Sequence, residues 1–262
     1  MMSSRYRLID SHCHLTFAQY ADIEAVLKRS IDAGIDGWIT IGTDLSQSTK
    51  AVELANRFGN VFATVAIHPH EAKSADKNTF NKLKELANNN KAVAIGETGL
   101  DFHYDFSTPQ QQKDCFERHL EMASETGLAV IIHSREAFDD TVKILDKFAE
   151  TVKKVVFHCY SGSVEQAKVI LDKGWHISLT GVVTFKNAVK TQEAAKLVPV
   201  ERLMIETDCP YMSPEPMRKQ RVNEPALMIH TAKFIAELKN MPLEDFANSV
   251  TATTLNFFNL PR

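Results

Sequence analysis

Short apolar runs rich in β-branched residues alternate along the chain with longer stretches in which apolar positions recur at helical spacing. Short apolar runs bounded by turn residues are typical of buried strands, and the longer periodic stretches are typical of amphipathic helices. This alternation predicts βα units and a parallel sheet. The predicted strands are eight in number and cover residues 7–11, 37–41, 61–67, 92–96, 129–133, 155–158, 176–180 and 203–207.

Eight βα units in 262 residues have the size and rhythm of a TIM (β/α)8 barrel, a fold of about 250 residues. A doubly wound open sheet is the alternative architecture. Glycine and proline are scattered and form no long flexible linker, so we expect residues 1–262 to form a single barrel domain.

Helix boundaries agree with the predicted strands. Residues 107–109 read Ser-Thr-Pro, a cap followed by proline that is typical of a helix start. Gly34, Gly127 and Gly174 each stand where a helix should end before a strand. Residues 224–238 are expected to form the eighth barrel helix, and residues 243–258 an extra C-terminal helix that covers the barrel wall.

Composition and charge narrow the class of protein. With 44% hydrophobic and 24% charged residues, the chain resembles an ordinary globular protein. A net charge of -3 argues against a basic, sequence-specific DNA-binding domain. No apolar run approaches the ~20 residues of a membrane span. The first residues also lack the apolar stretch of a signal peptide, so we expect a cytoplasmic protein.

Four cysteines, Cys13, Cys115, Cys159 and Cys209, show no C-x-x-C spacing and are expected to be reduced thiols. Three of them are neighbours of histidine or aspartate residues that can bind metal. Because strand side chains alternate between faces, we expect these thiols to point away from the site and to pack in the core.

His12 and His14 lie two residues apart at the end of the first predicted strand, so both imidazoles point to the same side. Two such imidazoles can bind one metal ion. A pair of hydrogen-bonded histidines without metal is the alternative for this motif taken alone.

Four more metal-competent side chains accompany other strand ends. Glu97 follows the fourth predicted strand, His133 and His158 end the fifth and sixth, and Asp208 follows the eighth. Each has an ordinary structural explanation when it is considered singly. Together they favour a metal site, because TIM-barrel enzymes build their active sites at the carboxyl ends of the strands.

The segments IDSHCH, GETGLD, IIHSR, FHCYSG and ETDCPYM resemble those of the TatD family of metal-dependent deoxyribonucleases, in the amidohydrolase superfamily. The resemblance extends from about residue 7 to residue 258. It implies a (β/α)8 barrel that holds two divalent ions and hydrolyses phosphodiester bonds of nucleic acid.

By this resemblance, His12, His14, Glu97 and Asp208 bind one ion, and Glu97 bridges to a second ion held by His133 and His158. Imidazole and carboxylate ligands suit Mg²⁺, Mn²⁺ or Zn²⁺ without choosing among them. Asp208 and Glu97 are the expected catalytic residues, with Asp208 orienting the attacking water or accepting its proton.

A second group is expected to contact substrate from loops at the same end of the barrel: His68, Asp101, His103 and Arg135. His119, His176 and His230 fall within helices or at the opposite end of a strand and are expected to be structural. Residues 211–225 depart from the family pattern. The usual glycine is missing there, although Arg218, Lys219 and Arg221 keep the loop basic.

The sequence therefore predicts an exonuclease that acts on single-stranded DNA or RNA, with no membrane association and no feature indicating an obligate protein partner. Hydrolysis of an amide, ester or lactone by the same metal centre is an alternative. A non-catalytic binding protein is a third hypothesis, which a missing ligand would favour. All six candidate ligands are present.

Overall fold

The computed structural model describes residues 7–261, and residues 1–6, which include the segment considered for a targeting signal, lie outside them. All eight predicted strands are confirmed, and they follow one another in chain order in one sheet. The strand pairs whose register is described are parallel. The prediction of a (β/α)8 barrel is confirmed. The strands are β1 Leu8–Cys13, β2 Ile35–Thr40, β3 Val61–Val65, β4 Ala92–Asp101, β5 Ala129–Arg135, β6 Val155–Phe157, β7 His176–Leu179 and β8 Leu203–Ile205.

Helices alternate with the strands and carry the expected caps. Thr108 forms a capping box with Gln111 at the start of α4, and Gly127 ends that helix in the left-handed region with φ 70°. The last barrel helix begins at Met228, after a 3-10 turn over Pro225–Leu227, because Glu224 is still extended. The helices are α1 Ile23–Asp32, α2 Leu45–Arg57, α3 Lys77–Ala87, α4 Pro109–Thr126, α5 Phe138–Asp146, α6 Val164–Asp172, α7 Val189–Leu197, α8 Met228–Leu238 and α9 Leu243–Phe258.

The chain divides into two compact units. We call Met1–Ile39 together with His158–Arg262 the terminal unit, and Thr40–Phe157 the central unit. In the terminal unit, α9 packs against β1 and β8, as expected for a helix that covers the wall. In the central unit, α4 packs against β4 and β5. The single-domain organisation stays a prediction.

The main departure from the predicted elements concerns β4 and β5, which both run further than their apolar residues indicate. The two strands remain paired to their last residues, Asp101 opposite Arg135. Asp101 and Arg135 are therefore strand residues, and their predicted placement on loops is wrong. Glu97 lies inside β4, not after it. The apolar pattern stops early because this extension carries the polar residues of the candidate site.

A β-bulge between Ile95 and Thr98 explains how Glu97 is aimed. Two residues of β4 stand there opposite a single residue of β5, which turns the side chain at the bulge out of the regular alternation. Further along, Gly99 pairs with His133. A Cβ at Gly99 would lie 2.1 Å from the carbonyl oxygen of His133, so only glycine allows this close approach.

Within residues 7–261, none of the helices has both the length and the sustained apolar character needed to cross a lipid bilayer.

Candidate metal centre

Four of the predicted ligands belong to the terminal unit and lie together at the carboxyl ends of its strands. His12 is in β1, His14 follows it, and the rings of His12 and His158 stack with centroids 4.0 Å apart. Asp208 Oδ1 lies 3.2 Å from His14 Nε2 and 3.5 Å from His12 Nε2. The backbone N–H of Asp208 donates to the carbonyl of His12 (2.9 Å), which fixes the chain after β8 beside β1.

Asp208 is held as a carboxylate. It is buried, and burial acts to raise its pKa. The hydrogen bond from His14 and the charges of the neighbouring imidazoles outweigh that effect and lower the pKa of Asp208 below its ordinary value. An anion buried among three imidazoles has the character of a metal ligand or a proton acceptor.

Glu206 is a further buried carboxylate in this unit, and it was not among the residues predicted from the sequence. Its Oε1 accepts a hydrogen bond from the backbone N–H of Cys159 (2.6 Å) and lies 3.4 Å from His158 Nδ1. Ligand atoms of His12, His158 and Glu206 lie within 4.8 Å of one another, close enough to share an ion. The sequence did contain a clue to Glu206, because Glu206 and Asp208 are two residues apart, as are His12 and His14.

Asp10 supports this group from behind. Its two carboxyl oxygens accept hydrogen bonds from the backbone N–H of Thr207 (2.9 Å) and from the Thr207 hydroxyl (2.5 Å). Burial raises the pKa of Asp10 to about 8, against the lowering effect of these bonds. The contact ties β1 to the segment that carries Glu206 and Asp208.

The remaining two predicted ligands, Glu97 and His133, lie together in the central unit, with His68 beside them. His133 Nδ1 is 2.7 Å from Glu97 Oε1, and His68 Nε2 is 3.4 Å from the same oxygen. These three side chains also offer ligand atoms within 4.8 Å of one another. Burial lowers the pKa of His68 to about 4, so its imidazole is neutral near pH 7 and able to bind metal. The structure thus places His68 beside a predicted metal ligand.

Asp101 lies behind this cluster and contacts two histidines. Its Oδ2 lies 2.9 Å from His133 Nε2 and 3.0 Å from His70 Nε2, and its Oδ1 accepts the backbone N–H of His103 (3.0 Å) and of Tyr104 (3.1 Å). Burial acts to raise the pKa of Asp101, but the histidine contacts and the backbone bonds lower it below its ordinary value. A carboxylate that orients a ligand histidine is a common feature of metal sites. His70 was not among the predicted site residues.

His103 and Arg135, both predicted to bind substrate, are exposed on the central unit. His103 Nδ1 lies 2.7 Å from a carboxylate oxygen of Glu136. The Arg135 guanidinium lies over the ring of Tyr104, with its carbon 4.9 Å from the ring centroid.

None of the three histidines expected to be structural belongs to either cluster of ligand atoms. His119 is buried in α4, where Nε2 accepts the backbone N–H of Ile67 (3.0 Å) and Nδ1 lies 2.8 Å from the carbonyl of Cys115. The ring of His176 packs against Phe257 with centroids 4.6 Å apart. His230 lies in α8.

The four cysteines are free thiols, as predicted. Cys13 and Cys209 are buried, in agreement with a packing role, and Cys159 is half-buried. Cys13 Sγ donates to the carbonyl of Ile39 at 3.3 Å, away from the side on which its histidine neighbours meet Asp208.

The basic loop after β8 is anchored by Asn223. This buried side chain donates from Nδ2 to the carbonyls of Thr207 (3.1 Å) and Tyr211 (2.7 Å). Arg218, Lys219 and Arg221 are all exposed, and the Arg218 guanidinium carbon lies 3.7 Å from the centroid of the Phe185 ring.

The donor set fits a divalent cation. Both clusters offer imidazole nitrogens and carboxylate oxygens, the ligands that Mn²⁺, Zn²⁺ and Mg²⁺ share. Nδ1 of His14 is buried and has no hydrogen-bond partner among residues 7–261. Buried polar atoms are nearly always satisfied, so an imidazole nitrogen in this state is consistent with a ligand atom.

Comparisons with known proteins agree with this geometry. The family model described as TatD related DNase matches residues 9–259. A metal-dependent hydrolase of Bacillus subtilis, YabD, is 37% identical over 97% of this chain and 99% of its own length. A protein of Erwinia billingiae named 3'-5' ssDNA/RNA exonuclease TatD is 36% identical over 97% of this chain and 100% of its own length.

Solved structures give the same result. The crystal structure of YjjV, a TatD homologue from Escherichia coli, superposes with a TM-score of 0.92 at 28% identity, over 98% of this chain and 100% of that one. A TatD family hydrolase from Entamoeba histolytica superposes with a TM-score of 0.89 at 26% identity, over 98% of this chain and 99% of that one.

Proposed function

Since the chain belongs to the TatD family of metal-dependent hydrolases, we propose that it is a nuclease that cleaves phosphodiester bonds of single-stranded DNA or RNA, beginning at an end. The proposal rests on one structural observation. In each unit, histidines and a buried carboxylate bring ligand atoms within 4.8 Å of one another at the carboxyl ends of strands. The substrate class comes from the relatives named as single-strand exonucleases.

The proposed centre holds two divalent ions, Mg²⁺, Mn²⁺ or Zn²⁺, on the six residues predicted from the sequence. When bound, such ions supply an activated water and neutralise charge on the phosphoryl oxygens. His68 and Glu206 are additional candidate ligands, because each lies in a cluster with two of the predicted ones. The six ligands are His12, His14, Glu97, His133, His158 and Asp208.

The side chains have separate tasks in this proposal. Asp208, held anionic by the imidazoles around it, orients the attacking water and accepts its proton. Asp101 fixes the ring of His133, which in turn meets Glu97 at 2.7 Å. Arg135 is exposed and permanently charged, and it is suited to binding a substrate phosphate.

Incubation with single- and double-stranded DNA and RNA, labelled at either the 5' or the 3' end, tests this function. We expect shortening of single strands that requires Mn²⁺, Mg²⁺ or Zn²⁺ and stops on addition of a chelator. Graded products from a 5' label, with early release of a 3' label, indicate digestion from the 3' end. If metal-loaded protein leaves every oligonucleotide intact but hydrolyses a small ester, lactone or amide, the nuclease proposal is wrong.

A further inference from the structure

Two aromatic rings stand exposed on the segment that follows β4. The side chains of Tyr104 and Phe106 are 42% and 52% exposed. Their ring centroids are 5.4 Å apart, and the ring planes differ by 29°. Adjacent large apolar side chains left open to solvent are a feature of binding surfaces. We refer to these two rings as the Tyr104–Phe106 pair.

The pair is fixed in place at both ends of its segment. The His70 ring contacts Tyr104 in a T-shaped arrangement (centroids 5.3 Å apart) and Phe106 in a tilted one (4.9 Å). Asp101 accepts the backbone N–H of Tyr104 at 3.1 Å. The buried Ser107 hydroxyl donates to the carbonyl of His70 at 2.9 Å. Rings held in this way lose little conformational freedom when a ligand packs on them.

A short chain of contacts connects the pair to the candidate metal cluster of the central unit. His70 Nε2 lies 3.0 Å from Asp101, Asp101 lies 2.9 Å from His133 Nε2, and His133 Nδ1 lies 2.7 Å from Glu97. When one part of a ligand packs on the rings, the next part of the same ligand would therefore lie near His133 and Glu97.

Arg135 adds a cation to the aromatic surface. Its guanidinium lies 4.9 Å from the Tyr104 centroid, and no carboxylate of residues 7–261 forms an ion pair with it. The adjacent Glu136 pairs with His103 instead. Proteins bind single-stranded nucleic acid without sequence preference by stacking bases on aromatic rings and by placing cations along the phosphate backbone.

We propose that the Tyr104–Phe106 pair is a base-stacking subsite, on which one nucleobase of a single-stranded substrate packs while Arg135 binds a neighbouring phosphate. This inference rests on the proposed function and adds a physical cause for a single-strand preference. A base can lie on these rings only if its own face is free, and in a duplex every base except those of the terminal pairs has both faces covered by its neighbours. Because every base has such a face, the subsite accepts all four.

The test measures binding of a fluorescent oligothymidylate by anisotropy, in EDTA and at fixed salt, together with oligomers carrying one abasic site at successive positions. Phe106→Leu keeps an apolar side chain but removes the flat ring. We expect this variant to bind the intact oligomer roughly 5- to 50-fold more weakly than the wild type does. In the wild type, an abasic site at one particular position should lower the affinity, and in the variant that decrease should be absent. Tyr104→Leu should behave in the same way.

Arg135→Gln should weaken binding of intact and abasic oligomers equally, and should reduce the slope of log affinity against log salt by about one. The matched controls are Phe58→Leu and Arg57→Gln, since Arg57 lies 5.3 Å over the Phe58 ring at the end of α2. Both controls should leave binding unchanged.

The outcomes separate this inference from the function on which it rests. If the wild type hydrolyses single strands but Phe106→Leu and Tyr104→Leu bind intact and abasic oligomers as the wild type does, the subsite is refuted and the nuclease stands. If the wild type neither binds nor hydrolyses nucleic acid, both fail. Light scattering shows whether Phe106→Leu alters the oligomeric state. If it does and oligonucleotide binding is unaltered, the pair is a protein–protein contact and the proposal of a base-stacking subsite is wrong.

Discussion

Two buried histidines of the central unit show how surroundings decide the role of a residue. Burial lowers the pKa of both His68 and His119 to about 4. Both nitrogens of His119 are engaged within the core, whereas His68 faces Glu97. The sequence predicted different roles for them only from their positions, because His68 follows a predicted strand and His119 lies within a predicted helix. It did not show that His68 contacts Glu97, because that contact depends on the bulge in β4.

Asp208→Asn is expected to reduce turnover far more than stability. The amide keeps the size and one oxygen but removes the charge that the surrounding imidazoles stabilise. Loss of proton acceptance costs roughly 10²- to 10⁴-fold in rate, and weaker metal binding adds to it. Steady-state hydrolysis at saturating metal, with circular dichroism to check the fold, measures the effect.

His176→Asn is the control, because His176 opens β7 and its ring packs on Phe257 at the opposite end of the strand from the site. This variant should keep nearly the full rate. Near-normal hydrolysis by the Asp208 variant would remove that residue from the mechanism.

His119 is expected to make stability fall in mild acid. Its folded-state pKa is about 4 against 6.5 for a free histidine, so the unfolded chain takes up a proton first as pH falls. Stability contributed by the neutral ring is complete above pH 6.5 and is lost as pH falls towards 4. The shift corresponds to about 2 kcal/mol between pH 7 and pH 5. Urea unfolding of the wild type and of His119→Gln should show a shallower pH dependence in the variant, and parallel curves would contradict this assignment.

At the scale of elements, the apolar pattern predicted where strands begin better than where they end. The predicted starts of β3 to β8 agree with the structure. Five strands, β2, β3, β6, β7 and β8, end one or two residues earlier than predicted, and β1, β4 and β5 run further. The pattern records burial in the core, whereas the carboxyl ends carry polar side chains that serve the site. No hydrophobic signal can mark those residues as part of a strand.

Gly99→Ala is expected to lower the free energy of unfolding by roughly 2–5 kcal/mol, because it combines backbone strain with a clash. The residue has φ +133°, and the new methyl carbon would meet the His133 carbonyl oxygen at 2.1 Å. Gly174→Ala is the matched control, with φ +76° but open space around its Cβ. Urea denaturation should show a clearly smaller loss for Gly174→Ala. Equal losses would mean that the clash is relieved by a shift of the backbone.

At the scale of the whole molecule, the rhythm of eight βα units was sufficient to predict the barrel, and the placement of ligand types at strand ends was sufficient to predict a metal site. Within each unit, the predicted ligands lie together. The supporting role of Asp10 could not be predicted from the sequence, because its buried carboxyl group meets Thr207 only when two segments distant in sequence lie side by side.

Divalent metal is expected to stabilise the folded protein, because the clustered donors exist only in the folded chain. Free Mn²⁺, Zn²⁺ or Mg²⁺ at about 100 times its Kd should raise Tm by roughly 5–10 °C, and a chelator should reverse the shift. Glu97→Gln and Asp208→Asn should reduce the shift, while His176→Asn should retain it. A Tm that none of the three ions changes, measured by scanning calorimetry, would contradict metal binding at these residues.

Asn223 holds the two ends of the basic loop together, so the exposed part of the loop can be replaced by another sequence. Its side chain binds the carbonyls of Thr207 and Tyr211, and its backbone N–H donates to Pro210, so the chain returns to the point from which it left. The exposed residues 216–219 can then vary in number and charge at little cost in loop-closure entropy, since closure is set by the base. Exchanging residues 216–219 for the corresponding residues of relatives therefore offers a route to retune substrate preference on an unchanged scaffold.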